Sequence, residues 1–165
     1  MESASLVLCE LKGEVNSNPG ILDSYPELPV KIKDINELLP KFLPYGSKIG
    51  DFFITKFSKY NILTYVFRIK NYIHRDDLLS ISAMIRKKEN PEIYKPVLKN
   101  IIDFLEENDL LTVTILKNHL NKIFDAINAE NDILIEGIRI EISKMFAEAK
   151  KEFGKSQINL RGNVF

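Results

Sequence analysis

Apart from a short helical stretch at 35–42, the hydrophobic residues of this chain change period near Lys88, and this change limits the folds available to it. Before Lys88, apolar and polar residues alternate over short runs, as they do in half-buried strands. After Lys88, apolar residues recur every three or four positions up to about Phe153, as they do in amphipathic helices. Strands followed by helices are typical of an α+β fold with an antiparallel sheet.

The first half of the chain predicts a sheet of about four to five strands. Four strands are expected over residues 5–15, 51–57, 62–70 and 78–86. The first carries apolar residues on both faces, so we expect it to be covered on both sides. Residues 21–30 contain Pro26 and Pro29, which limits any strand there to an irregular edge.

A short amphipathic helix is predicted early in the chain, over Ile35–Phe42. Asp34 is placed to cap its first turn, and Glu37 stands three residues later in the capping-box position. Leu38 and Phe42 are four residues apart, so they share the apolar face of this helix.

Two to three helices are predicted after Lys88. Pro96 fits a helix best in its first turn, so we expect the first of them to begin near Tyr94. Residues 129–153 are open to two interpretations. They fit a helix throughout, but Ile138 and Ile140 alternate with polar residues, which favours a strand at the start of the segment.

Length and charge place further limits on the chain. Its 165 residues predict a single domain over 1–153 and a flexible tail over 154–165. Because 23 basic residues balance 23 acidic ones, nonspecific nucleic-acid binding is not expected. The chain has one cysteine, Cys9, no apolar run of transmembrane length and no basic segment near Glu2. These features predict a cytoplasmic protein with no transmembrane segment.

No residue pattern predicts catalysis, a cofactor or a metal ion. The glycine segment 46–51 lacks the spacing of a phosphate-binding loop and leads into a strand, so we interpret it as a connection. His74 with Asp76 or Asp77 is the one candidate acid–base group. It supports the alternative hypothesis of a small α+β enzyme or ligand-binding domain with a pocket near His74.

Basic residues at the ends of two predicted strands form a candidate patch. We expect them to be a polar rim of the sheet or, as the alternative, a surface for peripheral association with anionic membrane. The residues are Arg68, Lys70, Arg75, Arg86, Lys87 and Lys88.

The order of elements over about residues 5–128 resembles a longin domain, one of the roadblock-related α-β-α sandwich modules. The resemblance is carried by SLVLCELKGEV in the first strand and IKDINELLPKFLP in the first helix. GDFFITKF, ILTYVFRIK and DLLSISAMIRK supply the three-strand meander, and YKPVLKNIIDFLEEN the helix after it. The segment after Asn131 is an addition to a minimal domain of this kind.

The resemblance implies a noncatalytic adaptor, or a platform for a small GTPase, in machinery of the membrane-trafficking type. Such modules often pair with a second longin or roadblock domain, so a homodimer is also expected. We place the partner-binding surface on the short helix and the second strand of the hairpin. The predicted contact residues are Leu38, Phe42, Tyr65, Phe67 and Arg68.

Overall fold

Five antiparallel strands form the central sheet of the computed structural model, which describes residues 3–15, 17–28 and 35–162, with side chains from residue 5 to residue 153 of these ranges. The strands are β1 (Ser3–Leu11), β2 (Gly20–Tyr25), β3 (Phe52–Phe57), β4 (Tyr60–Ile69) and β5 (Asp77–Arg86). They lie in the order β2-β1-β5-β4-β3. The predicted α+β class and the number of strands are confirmed, and β2 is an edge strand that ends before Pro26.

Both faces of the sheet are covered by helices. The early helix α1 (Ile35–Phe42) packs on one face, and the C-terminal helices pack on the other. In β1, Leu6 and Leu8 face the C-terminal helices, whereas Val7 and Cys9 face α1. All four side chains are buried, so the cover predicted for both sides of the first strand is confirmed.

Three buried hydroxyl groups of the sheet form hydrogen bonds with the C-terminal end of α1. The Ser80 hydroxyl donates to the Phe42 carbonyl at 2.5 Å, and the Thr64 hydroxyl donates to the Lys41 carbonyl at 3.2 Å. Ser82 lies 2.7 Å from Thr64 and also reaches the Phe42 carbonyl, at 3.4 Å. The last carbonyls of a helix have no partner inside the helix, so these side chains satisfy them and fix the position of α1 on the sheet.

The second half of the chain contains three helices and a small hairpin. The helices are α2 (Pro91–Glu107), α3 (Val113–Ala129) and α4 (Ile142–Gly162). The predicted start of α2 near Tyr94 is wrong. The helix begins at Pro91, whose missing N–H costs nothing there, and Asn90 caps it by accepting from the Glu92 amide at 3.1 Å. Pro96 therefore lies in the second turn.

A β-hairpin precedes α4, so the strand interpretation of the start of residues 129–153 is confirmed. It consists of β6 (Ile133–Ile135) and β7 (Ile138–Ile140). Both turn residues have positive φ, 49° at Glu136 and 76° at Gly137, as a two-residue type I′ turn requires.

Several boundaries differ from the predicted ones or lie beyond the described residues. β1 ends at Leu11 rather than at residue 15. Asp34 lies outside the described residues, so its capping role stays a prediction. The backbone of α4 continues to Gly162, inside the predicted tail 154–165, and the flexibility of that tail also stays a prediction. None of the described helices is both long enough and apolar enough to cross a membrane.

Candidate functional site

The residues predicted to bind a partner do not form one surface. Leu38 and Phe42 are fully buried between α1 and the sheet. Tyr65 and Phe67 are 5% and 3% exposed on the opposite face, under the C-terminal helices. Arg68 alone is exposed, and its guanidinium lies 3.7 Å from the Asp76 carboxylate. Four of the five side chains therefore stabilise the fold of the isolated chain, and their contact with a partner stays a prediction.

Tyr65 and Phe67 connect the core to the edge of the sheet. The ring of Tyr65 lies 4.7 Å from the ring of Phe52 in β3 and 6.2 Å from that of Phe67. Burial raises the pKa of the Tyr65 hydroxyl, with a smaller contribution from Asp103. This aromatic row holds β3 against β4, so the strand at the edge has a fixed position.

The outer edge of β3 presents backbone hydrogen-bonding groups away from β4. The Val66 amide donates to the Asp51 carbonyl at 2.9 Å, and the β3–β4 register continues without a shift to the hairpin turn. In an antiparallel ladder the bonded residues alternate, so those at positions 52, 54 and 56 turn their N–H and C=O groups outward. Side chains along this edge include Ile54, which is 40% exposed.

The two edges of the sheet differ in how they are protected. Beside β2 the register shifts between Leu8 and Cys9, and the strand carries Asp23 and ends before Pro26. A bulge, an acidic residue and a proline are common devices that prevent an edge from pairing with another chain. β3 has no proline and no register shift, and its one charged residue is Lys56. β3 is therefore the edge better suited to accept another strand.

His74 and its neighbours hold a loop together rather than forming an acid–base pair. His74 Nε2 lies 3.1 Å from Asn71 Nδ2 and 3.7 Å from a Glu14 carboxylate oxygen. Asp76 accepts from the Asn71 amide at 3.0 Å, and Asp77 accepts from the Gly13 amide at 2.9 Å. The space between the sheet and its helices is filled by apolar side chains, so the hypothesis of a pocket near His74 gains no support from this arrangement.

Two further titratable residues, Cys9 and His119, have structural positions. Cys9 is fully buried, and burial raises the pKa of its thiol to about 12, so the thiol is neutral at physiological pH. His119 lies 3.1 Å from the Glu136 carboxylate and so links α3 to the turn of the β6–β7 hairpin.

The predicted basic patch is divided between the two ends of the sheet. Arg68 is paired with Leu78, whereas Arg86 is paired with Tyr60, eight residues earlier in β4. Eight residues of an antiparallel strand span about 27 Å, because the rise is roughly 3.4 Å per residue. The two groups of basic residues are therefore separated by about this distance. A single patch of all six residues is wrong, because β4 and β5 run antiparallel and each carries its basic residues at its C-terminal end. Arg68, Lys70 and Arg75 lie at one end, and Arg86, Lys87 and Lys88 at the other.

The Asp132 carboxylate joins the hairpin to the first turn of α4, and we expect it to make stability depend on pH. Arg139 lies 2.6 Å from one oxygen, and the Ser143 amide and hydroxyl donate to the other at 3.0 and 2.7 Å. These bonds lower the pKa of Asp132 from 3.8 to about 2. A lowered pKa stabilises the fold above the unfolded-state pKa, and this contribution disappears as pH falls from about 4 to about 2.

Asp132→Asn should therefore reduce the loss of stability between pH 4 and pH 2, which urea unfolding at a series of pH values measures. Asp125→Asn removes the same charge from an exposed position on α3 and serves as the control. Equal pH dependence of the Asp132 variant and the unsubstituted chain would contradict this role for Asp132.

No protein-family model and no curated protein matches the chain. The longin resemblance therefore depends on the order and pattern of the elements, and the case for a function depends on the geometry of the β3 edge.

Proposed function

We propose that this chain is a noncatalytic protein-interaction module of longin-like type that binds its partner along the open edge of β3. The observation that carries the proposal is the difference between the two edges: β2 has devices against pairing, and β3 lacks most of them. Strand addition to such an edge supplies main-chain hydrogen bonds, and exposed side chains beside them give specificity.

A second copy of the chain, or a related domain, is the first candidate partner. If two β3 strands pair antiparallel around Ile54, the two Ile54 side chains lie opposite each other. The same register places Phe52 opposite Lys56 of the second copy, so no two lysines face each other. An edge that is complementary to itself favours a symmetric dimer.

The resemblance supplies the cellular role in this proposal. Longin-like modules act as adaptors or as platforms for small GTPases in membrane-trafficking machinery, and the order of elements here supports the same role. The nucleotide state of a small GTPase would then control its binding to the chain. Candidate GTPases are to be tested in both the GDP and the GTP form.

Ile54→Pro tests the edge with little cost to the fold. The Ile54 N–H points away from β4, so proline removes a donor available to a partner but no bond within the sheet. We expect self-association or partner binding to weaken on the order of tenfold, the effect of about 1.4 kcal/mol. Light scattering over a concentration series, with and without candidate GTPases, measures this change.

Leu134→Ser is the matched control, because Leu134 is 60% exposed but lies in the small β6–β7 hairpin. Circular dichroism and thermal unfolding establish that both variants remain folded. If Ile54→Pro has the same solution mass by light scattering, and forms the same complexes, as the unsubstituted chain, β3 is not the binding edge. A monomer at every concentration, with no GTPase complex, contradicts the proposed function itself.

A further inference from the structure

Large apolar side chains are exposed mainly at one end of the sheet. Eight such side chains are exposed among the described residues, and five of them lie in three loops on the half of the sheet that contains this end. Four of these five are the most exposed of all eight. The five are Val15 (84%), Tyr45 (104%), Ile49 (54%), Tyr72 (96%) and Ile73 (92%).

The order of the strands explains why these loops lie together. Because neighbouring strands run antiparallel, β1 and β4 end where β5 begins, whereas β3 begins opposite Tyr65, four residues before the end of β4. The described parts of loops 12–19 and 70–76 therefore lie together at this end, and loop 43–51 leads into β3 on the same half of the sheet, beside Val66. We call this end the loop surface.

Hydrogen bonds hold the apolar tip of loop 70–76 outward. The Asn71 side-chain oxygen accepts from the Ile73 amide at 3.0 Å, which forms a tight turn with Tyr72 and Ile73 at its apex. Loop 12–19 packs closely on the same loop, since a Cβ on Gly13 would lie only 1.9 Å from the Arg75 carbonyl oxygen. The hydrogen bond and this close packing therefore fix the turn that exposes Tyr72 and Ile73.

On the loop surface, the cations are more exposed than most of the carboxylates. Each of three loop carboxylates accepts a backbone N–H at the base of a loop, at 2.8–3.0 Å, and is only partly exposed: Asp51, Asp76 and Asp77. Four cations are exposed: Lys12, Lys48, Lys70 and Arg75. Glu14 is the exposed carboxylate in the described parts of these loops. At the end of α2, Glu106 and Asp109 line a hollow together with Arg68, Lys70 and Tyr72, so two exposed carboxylates lie beside the cations on that side of the surface.

We propose that the loop surface docks on an anionic lipid bilayer, with Tyr72 and Ile73 entering the interface and the four cations facing the headgroups. Binding at a bilayer interface grows with the apolar area buried and with the attraction of cations to anionic lipid, and this surface offers both. Aromatic side chains favour the membrane interface, and exposed lysine and arginine are attracted to anionic lipid. This proposal does not depend on the function proposed for the β3 edge.

Vesicle sedimentation tests the docking directly. The full chain should sediment with phosphatidylcholine vesicles that contain phosphatidylserine, more at low than at physiological ionic strength, and not with pure phosphatidylcholine. Replacing Tyr72 and Ile73 together by serine should weaken this binding on the order of tenfold, since the two apolar side chains no longer leave water. Leu134→Ser should bind vesicles like the unsubstituted chain.

Fluorescence locates the contact, because the chain contains no tryptophan. Tyr72→Trp should give an emission that shifts to the blue when anionic vesicles are added, whereas Leu134→Trp should not shift. Absence of sedimentation with phosphatidylserine vesicles at low salt would overturn the proposal. So would a Tyr72/Ile73 serine variant that still binds vesicles but no longer binds a protein partner, which would identify the loops as a protein contact.

Discussion

Phe42→Ala should lower the free energy of unfolding by about 3–5 kcal/mol. Phe42 is fully buried between α1 and the sheet, and removing its ring leaves a cavity beside Val7, Met84 and other apolar side chains. The Phe42 carbonyl is also the acceptor for Ser80 at 2.5 Å, so a shift of α1 to fill the cavity would disturb that bond. Denaturation in guanidinium chloride measures the loss.

Asn36→Ala is the control on the same helix. Asn36 is exposed, so its replacement should change the free energy of unfolding by no more than about 0.5 kcal/mol. The comparison also separates two roles for Phe42, which the sequence predicted to contact a partner. Partner binding that fails in Phe42→Ala while stability is unchanged would make Phe42 a contact residue and contradict its place in the core.

Phe146→Ala should also lower the free energy of unfolding by about 3–5 kcal/mol, with a single unfolding transition. The Phe146 side chain is fully buried, and its ring meets that of Tyr94 edge to face at 5.7 Å. This contact joins α4 to α2, and α2 in turn packs on the sheet. The segment after Asn131 should therefore unfold together with the sheet, as part of one domain.

Glu148→Ala, at an exposed position two residues after Phe146 in α4, is the control and should have little effect on stability. Circular dichroism and tyrosine fluorescence should follow the same transition in both variants. A separate early transition in Phe146→Ala, with the sheet unchanged, would show that the hairpin and α4 are not part of the domain that contains the sheet.

The core could be predicted from the sequence because its signal is local. Alternation in β4 assigned Leu63, Tyr65 and Phe67 to one face, and the structure buries all three on that face. The proposed binding edge could not be predicted in this way, because an edge strand is defined only once the order of the strands is known. Nothing within FFITKF itself shows that β3 lies at the margin of the sheet, whereas Pro26 marked β2 as an edge directly.

Two local signals in the second half of the chain specify structure that the hydrophobic periodicity alone leaves open. Asn90 followed by Pro91 is a cap and a first helical residue, but Pro96 suggested a later start to α2. Glu136 and Gly137 stand between two short isoleucine-rich runs, and a glycine at the second turn position is the usual mark of a tight hairpin. That signal favours the hairpin over a continuous helix.

Amide hydrogen exchange, resolved residue by residue by NMR, tests the proposed role of the β3 edge most directly. In the dilute chain, the amides of Phe52, Ile54 and Lys56 should exchange rapidly, because they point away from β4. In the dimer or in a partner complex the same three amides should become protected, while the amides of the alternate residues, already bonded to β4, should be slow in both states. If the three outward amides remain unprotected in the complex, the partner does not add a strand to β3.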